Sequence, residues 1–181
     1  MSALVLIGPM GAGKTSIGRR VAKKLGLPFT DTDALVVREH GPIEKIFTDL
    51  GEPRFREIER AAVAVALESE GVVALGGGAV TDAGARALLA RHRVVLLTVE
   101  PRIVAARIAG TDRPLLAGED PIARWQEIYA ARRPVYEELA DATFDTSRGP
   151  LSAVVDAIVA WAAGAEQADQ AAQTNEEERS A

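Results

Sequence analysis

The sequence predicts an α/β protein of three layers, with a central five-stranded parallel sheet carrying helices on both faces. Three observations carry this. Five short apolar runs, ALVLIG, LPFTDTD, GVVALGGG, RHRVVLLTVE and ATFDTS, punctuate the chain, with amphipathic stretches between them. The longest of these runs are apolar without strict alternation, as strands covered on both faces should be. The first run ends in the glycine-rich GPMGAGKT, directly before a helical period. A β-α-β-α series of this kind puts its ligand site at the carboxyl ends of the strands.

The elements follow in order. After the first strand, Ile17, Val21 and Leu25 recur at spacing four on one helical face, and Lys23 and Lys24 complement the last turn. Gly26 and Pro28 supply the stop. The second strand runs into Asp31 and Asp33. A helix follows in which Phe55, Ile58, Ala62 and Val65 form the apolar face. The third strand runs into Gly76, Gly77 and Gly78. After the fourth strand comes AGTDRPLLAGED, a loop punctuated by Gly and Pro, and then the helical YAARRPVY. The fifth strand leads through the turn SRGP into LSAVVDAIVAWAAG, which Asp156 interrupts well short of a membrane span.

Composition bounds the function classes. With 181 residues and 48% hydrophobic content the chain is long enough for one well-buried domain, and no internal repeat divides it. There is no cysteine, which excludes disulfides, thiolate metal sites and a cysteine nucleophile and fits a reducing cytoplasm. No basic residue precedes the first apolar run, so no signal peptide is expected. Five acids and one base lie from Glu166 onward, leaving 21 acids and 20 bases in the body. The expected division is therefore a single domain over 1–165 and a disordered acidic tail over 166–181. Aromatic content of 4% and the lack of a basic stripe argue against nucleic acid as a partner. No membrane partner is expected, and a monomer is the expected state.

GPMGAGKT fills every position of G-x-x-x-x-G-K-[ST]. Such a loop cradles polyphosphate on backbone N–H groups, its lysine reaches the β and γ phosphates, and its hydroxyl residue binds Mg²⁺. The ATP-binding set is then Gly11, Ala12, Gly13, Lys14, Thr15 and Ser16. Asp31 and Asp33, two apart on an extended segment, point the same way, one toward Mg²⁺ and one toward an acceptor hydroxyl. The competing reading is that one of them caps the next helix.

GPMGAGKTSIGR, DTD, FREIE, LGGGAV, DRPLL and RRPVY occur in an order and spacing that resembles the shikimate kinase family, from Ala3 to about Ala163. The resemblance implies the P-loop kinase fold and ATP-dependent, Mg²⁺-assisted phosphorylation of the 3-hydroxyl of shikimate. It also implies an acceptor segment at about 32–60 and a lid at about 109–120. Shikimate is a small carboxylate with vicinal hydroxyls, so its site needs fixed cations and a carboxylate at the attacking hydroxyl.

Arg56 suits the first role, since its planar fork matches a carboxylate and Glu59 can hold it in place. The competing reading is a solvated helix ion pair. Gly76, Gly77 and Gly78 would let backbone run against the bound ring and offer it N–H donors. Arg113 would reach the transferring phosphate from the lid, which excludes water. Aligning the family's Arg-x-Pro-x-Tyr on Pro134 and Tyr136 selects Arg132 as the second carboxylate ligand and leaves Arg133 at the surface. Arg107, Arg148 and Pro150 resemble the elements that sandwich adenine.

The catalytic set is thus Lys14, Asp33 and Arg113, with Thr15 and Asp31 toward the metal. His40 and His92 have no ligand-spaced partner, and Trp125 and Trp161 read as packing residues. A gluconate kinase would keep the loop without needing Arg56, the triple glycine and Arg132. A nucleotide-driven switch would not need Asp33, Arg56 and Arg113.

Overall fold

The structure is a computed structural model that describes residues 2–68, 70–108 and 120–180, apart from the side chains of residues 108 and 166–180. Its strands are β1 (Leu4–Ile7), β2 (Phe29–Asp31), β3 (Val72–Ala74), β4 (Arg93–Thr98) and β5 (Ala142–Asp145). Each lies inside one of the five apolar runs. The helices are α1 (Lys14–Leu25), α2 (Thr32–His40), α3 (Ile43–Ala66), α4 (Ala83–Leu89), α5 (Pro101–Ile108), α6 (Pro121–Leu139) and α7 (Leu151–Ser180), with a 3₁₀ turn at Ala79–Thr81.

The strands line up as β2-β3-β1-β4-β5, and every neighbouring pair is parallel. The chain leaves β1 for the β2 edge, returns through β3, then crosses to β4. The direction of winding therefore reverses at β1, which opens a crevice at its carboxyl end. Side chains alternate between the two faces. Leu4, Leu6, Val95 and Leu97 meet Ile17 and Val21 of α1 and Val155 and Ile158 of α7. Val5, Ile7, Val94 and Leu96 meet Val63 and Ala66 of α3 and Leu89 of α4. Burying each such side chain contributes about 1.5 to 3 kcal/mol.

Gly8 shows why the exit from β1 demands glycine. Its φ is 136°, and a Cβ there would stand 2.2 Å from the Leu97 carbonyl oxygen on β4. Helix α1 ends where predicted, on Gly26 in the left-handed conformation.

α2 and α3 carry a small core of their own, Val36, Ile46, Phe55 and Ile58. It matches the span expected to hold the acceptor. α3 breaks at Gly51, which has non-helical angles, and Pro53 stands in the first turn of the segment beyond, where proline is tolerated. The backbone of α7 runs as helix to Ser180, into the acidic segment. Alanine, glutamine and glutamate are strong helix formers, and neither Gly nor Pro follows Gly164. Among the described side chains of this helix, the last in the core is Ala162. Among the described residues no helix is long and apolar enough to cross a membrane.

Candidate active site

Two cavities meet at the carboxyl edge of the sheet. The first, about 270 Å³, is lined by the phosphate loop from Met10 to Ser16 together with Asp31, Asp33, Gly77 and Arg107. α1 begins at Lys14 with no side-chain cap on its first turn, so the N–H groups there face the cavity unsatisfied by side chains and favour an anion. The Lys14 ammonium folds back along the loop and donates to the carbonyls of Gly8 (2.8 Å) and Pro9 (2.9 Å). The Thr15 hydroxyl donates to Asp31 Oδ2 at 2.6 Å. A hydroxyl beside a carboxylate at a phosphate site is an oxygen-donor pair of the kind a hard divalent cation takes.

The second cavity, about 400 Å³, has one polar and one apolar wall. Arg56, Glu59 and Arg132 form the polar wall; Val37, Ile43, Phe47 and Phe55 form the apolar one, with the two phenyl rings 4.6 Å apart. Met10, Asp33 and Gly77 line both cavities and so form the partition between them.

Arg56 is held by Glu59 at 2.6 Å and Glu52 at 2.9 Å. Its side chain is 15% exposed and that of Glu59 3%, so this is no solvated surface pair. Burial opposes the charge on Arg56, but the two glutamates outweigh it and its pKa is raised. Burial likewise pushes the Glu59 carboxyl up, more than Arg56 pulls it down, and Asp33 adds to the rise.

The aspartates do not lie side by side on a strand. β2 stops at Asp31, whose Oδ1 accepts from the N–H groups of Asp33 and Ala34 and so caps α2. Asp33 is consequently helical, and it stands in the partition while Asp31 faces Thr15. The capping reading of Asp31 holds: Oδ1 serves the cap and Oδ2 accepts from Thr15.

The triple glycine also works differently from expectation. The Gly76 N–H is taken by Thr32 Oγ1 at 3.1 Å, so it is no donor for a ligand. Gly76 instead provides clearance: a Cβ there would come within 2.5 Å of Asp33 Oδ1 and 2.6 Å of Glu59 Oε1. Gly78 does the same for Arg56, whose Nη1 would be 2.2 Å from an added Cβ. Gly77 and Gly78 line the acceptor cavity and Gly76 does not.

Arg132 enters the acceptor cavity, whereas Arg133 turns outward, 61% exposed, to pair with Glu137 at 2.6 Å. Arg107 is not a freely stacking side chain. It donates to Gly11 O (2.9 Å), Thr146 Oγ1 (3.2 Å) and Thr146 O (2.8 Å), fastening the phosphate loop to the turn after β5. Arg148 is 78% exposed and pairs with Glu100 at 3.3 Å. Arg113, with residues 109–119 of the lid expected at about 109–120, lies outside the described residues.

Met10, Thr32 and Tyr136 were invisible as site residues in the sequence. Met10 occupies a position the loop pattern leaves open, and Thr32 lies between the two conspicuous aspartates. Trp125 packs as predicted, yet its indole N–H also donates to Met10 O at 2.9 Å.

A phosphate loop at the switch point, separated by one carboxylate from a pocket with a buried arginine, defines a P-loop small-molecule kinase. The family model described as shikimate kinase matches residues 10–163. The chain is 49% identical over 162 residues to a shikimate kinase of Streptomyces avermitilis, covering 86% of this chain and 94% of that one. It is 48% identical over 158 residues to one of Mycobacterium avium, covering 86% and 90%. Among solved structures, the shikimate kinase of Acinetobacter baumannii in complex with shikimate superposes with a TM-score of 0.86 at 34% identity, covering 91% of this chain and 94% of that one. The chain belongs to the shikimate kinase family, and its activity is ATP-dependent phosphoryl transfer to shikimate. A gluconokinase of Sinorhizobium meliloti shares the fold, with a TM-score of 0.58 at 22% identity.

Proposed function

We propose that the chain transfers the γ-phosphoryl group of Mg²⁺-bound ATP to the 3-hydroxyl of shikimate across the partition formed by Asp33 and Gly77. The supporting observation is that, among the described acids, Asp33 alone borders both the second cavity and the phosphate loop with its lysine. In this reading Lys14 and the N–H groups from Gly11 to Ser16 hold the phosphates. Thr15 would hold the metal, with Asp31, 2.6 Å from its hydroxyl, supporting it through water. When bound, Mg²⁺ neutralises charge on the β and γ oxygens.

Arg56 and Arg132 clamp the shikimate carboxylate, while Gly77 and Gly78 let the ring approach the backbone. Asp33 then orients the 3-hydroxyl or takes its proton as it attacks. Arg107 and Arg148 border the adenine, and Arg113 comes down with the lid at 109–120 to share the charge of transfer. The kinase domain is 1–165, which holds the described core side chains of α7 up to Ala162, and the acidic tail over 166–181 takes no part in the reaction. The enzyme is a cytoplasmic monomer.

A coupled assay of ADP release tests this reading. Release should require shikimate and should not respond to gluconate. Lys14→Met should leave a folded protein and lower transfer by several orders of magnitude, since the phosphates lose their point charge. Near-normal turnover in that variant would refute the assignment.

A further inference from the structure

Tyr136 is a fully buried phenol to which the reaction described above gives no task. It packs with Val5, Ile7, Val73 and Leu96, surroundings that phenylalanine would fill equally well. A hydroxyl buried there is costly unless it is bonded. It donates to the carbonyl of Gly77, the residue in the partition between the two cavities. Burial pushes its pKa up to about 12, so it remains a proton donor at any pH at which the enzyme works.

Arg132 lies one helical turn before Tyr136 on α6. Both line a narrow crevice against Pro9 and Met10, and the positive charge of Arg132 acts on the phenol against the effect of burial. The Gly77 backbone in turn sits on the phosphate loop, where a Cβ would be 3.5 Å from Gly8 O and Met10 N. Eleven residues before Tyr136, the Trp125 indole grips Met10 O. One rigid helix is thus bonded to the donor loop at one end and to the acceptor turn at the other.

We propose that Tyr136 is a positioning residue for the acceptor. Its hydroxyl ties the Gly77 backbone to the helix that carries Arg132, so that the carboxylate cation and the glycine turn keep one spacing. The proposal rests on the reading of Arg132 as a shikimate carboxylate ligand. A phenol serving only packing would leave shikimate affinity alone. A phenol serving position does not, because the clamp must match the carboxylate in distance and plane.

The test is calorimetric titration of Tyr136→Phe with ADP, shikimate and the neutral amide of shikimate. ADP affinity should stay within about twofold of the parent. Shikimate affinity should fall about tenfold, the scale of one hydrogen bond acting on a charged contact. The neutral amide should lose much less, since it does not use the clamp. Replacing Tyr136 by 4-aminophenylalanine, which keeps a donor toward Gly77, should restore most of the shikimate affinity.

Unchanged shikimate affinity in the folded Phe variant, or equal losses for shikimate and its amide, would overturn the proposal. If Tyr136→Phe does not fold, the 4-aminophenylalanine variant decides alone: affinity within about threefold of the parent supports the tether, and a tenfold loss overturns it. A parent that binds no shikimate would overturn the functional reading and this proposal together, whereas the other adverse outcomes remove this proposal only.

Discussion

Arg56→Ala separates the observed pairing of this side chain with Glu59 from its proposed role on the shikimate carboxylate, and its magnitudes follow from the structure. The guanidinium neutralises Glu59, whose side chain is 3% exposed, and pairs with Glu52, which is 51% exposed. Losing the Glu52 contact costs at most about 1 kcal/mol, as for exposed pairs generally. Leaving Glu59 as a buried charge without its main partner costs about 3 to 5 kcal/mol. At about 2 to 4 °C per kcal/mol for a chain of this size, the lower figure lowers Tm by about 6 to 12 °C at pH 8.

The pH dependence has a definite sign. The folded pKa of Glu59 is already raised in the parent, and loss of Arg56 raises it further. An acid with a raised folded pKa gains stability as pH falls through that value, so the Tm deficit of the variant should shrink between pH 8 and pH 5. Shikimate affinity should fall by about 2 to 4 kcal/mol, or about 30- to 900-fold, with ADP affinity nearly unchanged.

Adding Glu59→Gln distinguishes the two roles. It removes the stranded charge, so the double variant should regain most of the Tm lost, yet its shikimate affinity should stay as low as that of Arg56→Ala. Thermal unfolding and shikimate titration of the parent, both single variants and the double variant complete the cycle. Recovery of shikimate affinity in the double variant would show that Arg56 acts only as a structural partner of Glu59.

Three further outcomes are expected. Asp33→Asn should lower kcat about 10²- to 10⁴-fold with little change in ATP affinity, and steady-state kinetics with ADP titration would detect the reverse, a metal-site role. Arg132→Ala should weaken shikimate binding by the same 2 to 4 kcal/mol or so, while Arg133→Ala, which removes an exposed pair, should leave both binding and stability nearly unchanged. His92 Nδ1 accepts from the Ala3 N–H at 3.1 Å, and burial lowers its pKa, so its contribution to stability is complete above the unfolded value near 6.5 and is lost as pH falls below it. Tm measured from pH 7.5 to 5.5 should therefore fall less in His92→Asn than in the parent.

The sequence by itself determined what short-range chemistry can specify. Five apolar runs became five parallel strands because such runs have nowhere to go but between two helical layers. The spacing of Gly8, Gly13, Lys14 and Thr15 made the phosphate loop legible, since the pattern is local, although Leu97, Arg107 and Trp125 also hold the loop from across the fold. Arg56 was legible for a similar reason: its partner Glu59 stands three residues along the same helix.

Tertiary packing decided the rest. The place of Asp33 depended on where β2 stops, and that follows from Asp31 turning back to cap α2. The need for glycine at 76 and 78 came from Asp33, Glu59 and Arg56, side chains up to 43 positions away in the chain that crowd the same turn. The different directions of Arg132 and Arg133 came from the way α6 lies against the phosphate loop, with Trp125 and Tyr136 inward and Glu137 in solvent. A residue's neighbours along the chain reveal its conformation. The charges and surfaces it meets across the fold, on which its role depends, appear only once the sheet and helices have closed around the site.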